Sequence, residues 1–104
     1  MGFDAKAYTE ALRIPEVVIG GKTHTGRLLS AFEYQDALEW SKKVEDATVP
    51  REERRSVAVK TLALVFPVAV AEQLADLPGD GFWKAWAYFF TSQRPPAPEN
   101  GKTP

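Results

Sequence analysis

Cysteine is absent from the sequence. Its absence excludes disulfides, thiolate catalysis and cysteine zinc sites together, and it suits a reducing compartment. Histidine occurs once, as His24. A metal site would then need that imidazole plus scattered carboxylates, and a catalytic base would need a positioned nucleophile that no triad spacing provides. No sign of charge prevails, because 13 basic residues face 14 acidic ones. A phosphate backbone finds no single-signed field here, which disfavours general nucleic-acid binding. Long apolar runs are missing too. The longest, residues 62–71, is about half of the ~20 residues a membrane helix requires. Residues 1–6 lack a basic segment followed by an apolar stretch, so no signal peptide is expected.

What is present reads as one small domain. With 104 residues, 44% of them hydrophobic and 26% charged, the chain can fill one modest core. Asp4 can cap a short helix over residues 5–13, with Ala7, Tyr8, Ala11 and Leu12 at helical spacing. Pro15 ends it. Three β-branched residues then favour a strand at residues 16–19, and Gly20-Gly21 supplies the positive φ angles of a hairpin turn. Residues 22–25 return as the second strand, ended or bulged by Gly26. Gly20-Gly21-Lys22-Thr23 superficially resembles a phosphate-binding loop, but Glu16 occupies the position of its opening glycine, and a hairpin explains it better. His24 reads as an exposed strand residue.

Ser30 with Glu33 has the form of a capping box, opening a helix that runs to about residue 45. Tyr34, Ala37, Leu38, Ser41 and Val44 share its apolar face, with Trp40 at the edge. Pro50 starts the next helix, and Glu52 and Glu53 suit its dipole. Arg51, Arg54 and Arg55 read as a solvated face with local ion pairs, or alternatively as a contact for an acidic partner surface. From Val57 the chain turns apolar up to Phe66, and Pro67 must kink or restart the helix. A strand at residues 62–66 is the alternative. A second helical segment spans residues 68–77, and Pro78-Gly79-Asp80-Gly81 forms a turn. The last helix, residues 82–93, gathers Phe82, Trp83, Trp86, Phe89 and Phe90 within an arc of roughly 120°, with Tyr88 pointing away. Residues 94–104 are Pro-rich, lack core-forming side chains and read as a disordered tail.

The expected fold is therefore mainly α in the α+β sense: a small N-terminal hairpin packed on a bundle of about four helices within residues 1–93. The expected core comprises Leu38, Val57, Leu62, Val65, Phe66, Val70, Leu74, Phe82, Trp86 and Phe89. No catalytic, cofactor or metal residues are assigned, and the chain is expected to work by binding proteins. The aromatic helix is core in its simplest reading. The surplus of rings also suits recognition, and Trp40, Trp83, Trp86 and Phe90 are the candidate partner-binding residues.

The layout resembles the tail assembly chaperones of long-tailed bacteriophages. The resemblance rests on Val18-Ile19-Gly20-Gly21-Lys22, the amphipathic helix from Ser30, the proline-broken apolar helix at Leu64-Val65-Phe66-Pro67, and Leu77-Pro78 before the aromatic stretch Trp86 to Phe90. It covers residues 16–93. It implies binding and solubilising the tape measure protein, recruiting tail tube subunits, and a site of action in the host cytoplasm. Self-association is compatible with it. The alternatives are a virion structural adaptor of head-completion or tail-terminator type, and a small regulatory protein-binding module.

Overall fold

The computed structural model describes residues 2–93, so the tail at 94–104 lies outside the described residues. The elements run α1 (Ala5–Ala11), β1 (Glu16–Ile19), β2 (Lys22–Thr25), α2 (Ala31–Val44), α3 (Arg51–Leu62), α4 (Val68–Ala75) and α5 (Gly81–Ser92). The fold is thus mostly helical with one two-stranded hairpin. Among the described residues five helices form, where a bundle of about four was expected. Local chemistry accounts for most boundaries. Asp4 accepts a bond from the Ala7 N–H at 3.0 Å and starts α1. Gly20 and Gly21 adopt φ of 58° and 77°, which the two-residue hairpin turn demands. The antiparallel register pairs Val17 with His24 and Ile19 with Lys22. Val17, Ile19 and His24 are half-buried on the inward side, while Val18 faces solvent. His24 is therefore less exposed than its sequence suggests.

The capping box of α2 is complete. Ser30 Oγ accepts from the Glu33 N–H at 3.2 Å, and Glu33 accepts from the Ser30 N–H at 3.0 Å. Glu33 also takes two bonds from Arg27, at 3.1 and 2.8 Å. The Arg27 bonds first, and the Ser30 N–H second, hold its carboxyl down to about 2, against an ordinary 4.5. A depressed folded value makes this contribution complete above the ordinary value and lost as pH falls towards the folded one. The start of α2 should consequently loosen in acid below pH 4.5 and down to about 2. Glu33→Gln should flatten that part of the acid-unfolding curve, and an unchanged acid limb would show that the Arg27–Ser30–Glu33 cluster contributes nothing.

The buried residues form one cluster. It draws Ala37 and Val44 from α2, Ala58 and Leu62 from α3, Val70, Ala71 and Leu74 from α4, and Trp86 and Phe89 from α5. Thr61 is fully buried as well, and its hydroxyl donates to the Val57 carbonyl at 2.8 Å, which removes the cost of burying it. Three expectations change. Leu38 is 39% exposed, because α2 is rotated so that Ala37, Trp40, Ser41 and Val44 face inward. Val57 and Phe82 are half-buried and flank the cluster without closing it. The helix expected to continue to Phe66 ends at Leu62, and the strand weighed as the alternative at residues 62–66 does not form either. The chain leaves α3 in a tight turn, with the Val65 and Phe66 N–H groups both donating to the Leu62 carbonyl at 3.0 Å, and Pro67 restarts the helix as α4.

That apolar turn packs directly under the hairpin exit. A Cβ at Gly26 would collide with Val65 Cγ1 and lie 2.9 Å from Phe66 Cε1. Both neighbours are core side chains with little room to move. Gly26→Ala should therefore destabilise by about 1–3 kcal/mol although it adds one methyl. Urea denaturation tests this, and an unchanged midpoint would mean that the 62–66 turn yields easily.

α5 organises the rest. The Glu16 N–H donates to the Tyr88 hydroxyl at 2.8 Å, so Tyr88 does not simply point away but ties the hairpin to the last helix. Gln93 accepts from the Leu29 N–H at 2.7 Å and donates to the Arg27 carbonyl at 3.1 Å, holding the linker into α2.

Candidate functional site

Where α3 begins, α4 ends and α5 begins, the helices leave an open cleft of about 380 Å³. This is within the range of pockets that take a ligand or an anchoring side chain, ~300–1,000 Å³. Val44, Ala58, Ala75 and Leu77 contribute its aliphatic lining, and Phe82 and Trp83 add an aromatic edge. Small residues at 58 and 75 leave the space that larger ones would fill. Leu77 is expelled past the end of α4 by the Pro78 turn and stays exposed.

The opposite wall is cationic. Arg51, Arg54 and Arg55 line the cleft with only Asp76 as an acidic counterpart. Arg55 is committed to Asp76 through two bonds of 2.7 Å. These bonds hold the Asp76 carboxyl below its usual range, against a smaller opposing effect of desolvation. Arg54 Nε–H donates to the Val44 carbonyl at 2.8 Å, at the end of α2. Arg51 makes no side-chain hydrogen bond or ion pair with any described residue. The expected local ion pairs within the start of α3 do not form. Its charges reach across to other helices instead, Arg55 to Asp76 on the turn after α4 and Glu53 to Lys43 on α2 at 2.7 Å.

The four candidate aromatics do not share one surface. Trp83 lines the cleft and is 43% exposed. Trp86 is 4% exposed, and its Nε1–H donates to Glu45 at 3.0 Å, so the indole is satisfied as a core residue and offers no contact face. Phe90 is half-buried, 5.2 Å from the Trp86 ring and 6.0 Å from Tyr34. Trp40 does not line the cleft. It is half-buried, with Lys60 Nζ 4.3 Å from its ring centroid. Phe82, 4.7 Å from Trp83 and 5.4 Å from Trp86, joins the exposed indole to the buried one, so Trp83 is the outer end of an aromatic ladder rooted in the core. The arginines of this wall entered the sequence reading only as an alternative contact for an acidic partner surface, and Leu77 and the alanines carried no assignment at all. The one available signal was the mixed-sign run at 51–55, read mainly as solvated.

His24 lies in the hairpin and is not among the residues that line the cleft. Among the described residues no group of acids and histidine is arranged to hold a metal ion, and no helix is long and apolar enough to cross a membrane. Compared with family models, curated proteins and solved structures, the chain matches none.

Proposed function

We propose that this chain is a protein-binding module that acts as a tail assembly chaperone of a long-tailed bacteriophage. It binds amphipathic segments of the tape measure protein in the host cytoplasm, keeps them soluble and recruits tail tube subunits. The reading assigns it no catalytic step, cofactor or metal. One observation carries the binding part: Trp83 and Leu77 stay exposed on the apolar side of the cleft although the core below is complete without them. An exposed aromatic on a fixed base is what helix-in-groove recognition uses, because the ring is already ordered before the partner arrives. The sequence layout from the hairpin to the aromatic helix supports the more specific identity. Weak contacts of this size, repeated along a long client, add up through avidity.

Co-expression with the tape measure protein of the same genome tests the reading. The long protein should be soluble only when this chain is present and should co-purify with it. If the long protein neither binds nor changes solubility, and this chain is found in finished virions, the structural-adaptor reading replaces this one.

A further inference from the structure

The cleft pairs an apolar, aromatic side with guanidinium groups that are not fully used. Arg55 is neutralised by Asp76. Arg54 spends its Nε–H on the Val44 carbonyl and its charge also acts on the nearby Asp46 carboxyl, but its guanidinium makes no other hydrogen bond within the described residues. Arg51 is unpaired. The lining therefore carries three arginines against one aspartate in a chain whose overall net charge is −1. Arginine presents a planar fork matched to carboxylates, and such contacts are stronger beside apolar surface that excludes water.

We infer that the cleft selects client segments in which acidic residues flank a large apolar side chain. The apolar side chain sits against Ala58, Ala75 and Trp83, and the carboxylates meet Arg51 and Arg54. The inference rests on the client-binding reading and specifies the chemistry of the segment. A nucleic acid fits less well, since only two guanidiniums are available and Ala58, Ala75, Leu77 and Trp83 face them with apolar surface. A basic amphipathic segment is repelled by the same wall.

The test uses the full chain and labelled 15-residue peptides tiling the tape measure protein of the same genome, with binding read by fluorescence anisotropy. Peptides that bind should be net acidic with an apolar anchor, and their affinity should fall as salt rises. Arg51→Glu should weaken them at least tenfold, as should Asn and Gln in place of the peptide's own Asp and Glu. Arg13→Glu, the same charge change at an exposed position that does not line the cleft, should leave them unchanged. Circular dichroism checks that both variants fold.

Several results would overturn the inference. If binding peptides are neutral or basic, or bind Arg51→Glu as well as wild type, the selectivity is wrong while the client-binding reading stands. Displacement of the peptides by equimolar inorganic phosphate, or by single-stranded DNA, would mark a general anion site and would likewise overturn it. If neither the peptides nor the intact tape measure protein bind, the reading beneath it falls as well.

Discussion

Replacing Phe89 by alanine should remove about 3–5 kcal/mol of stability, the largest single effect expected in the molecule. Phe89 is 1% exposed and is among the largest fully buried side chains. Its ring lies 4.8 Å from Phe90 and 6.1 Å from Trp86, so alanine removes apolar burial and also leaves a cavity amid rings that cannot collapse into it. Small domains have only about 5–15 kcal/mol in total, so the variant should sit near the limit of folding. For a domain of this size the midpoint temperature should fall by more than about 12 °C. Phe32→Ala is the matched control. Phe32 is 80% exposed, and its loss should stay within about 0.5 kcal/mol. Thermal or urea unfolding compares the two. Equal and small losses would mean that α5 is not the core helix described here.

Trp83→Ala should have the opposite profile. Part of the indole rests on Phe82 at 4.7 Å, and removing an edge-to-face contact of this kind costs about 0.5–1.5 kcal/mol beyond lost area. The fold should survive. Client affinity, however, should fall by at least about 2 kcal/mol, roughly thirtyfold, because a rigid tryptophan at a pocket edge is the residue type on which interface energy concentrates. The two variants therefore separate folding from binding on one helix: residues six positions apart, one facing the core and one facing the cleft. If Trp83→Ala binds its client as wild type does, the cleft is not the binding face.

The sequence made legible whatever depends on near neighbours. The Ser30–Glu33 capping box, the Gly20-Gly21 turn and the restart at Pro67 are each set by residues within a few positions, and each forms where expected. The aromatic arc was also readable, since α5 is regular throughout its length. What could not be read depends on topology. Leu38 and Val44 both lie on the apolar stripe of α2, yet packing covers Val44 and leaves Leu38 out. Ala37, Ala58 and Ala71 carry weak hydrophobic signals but are buried, where their small side chains let the helices approach. The tie from Glu16 to Tyr88 spans 72 positions and that from Arg55 to Asp76 spans 21. The cleft draws on residues from Val44 to Trp83, so no local pattern could assemble it. Trp86 shows the limit most clearly: in sequence it resembles Trp83, and only its burial and its bond to Glu45 assign it to the core.

We propose that a protein client is recognised through the cleft at α3, α4 and α5. Hydrogen–deuterium exchange on the complex with the proposed tape measure client, purified after co-expression, tests this recognition directly. New protection is expected over the first turns of α3, at residues 75–77 and in the first turn of α5. Protection confined to the hairpin or to α1, with the cleft unchanged, would contradict it.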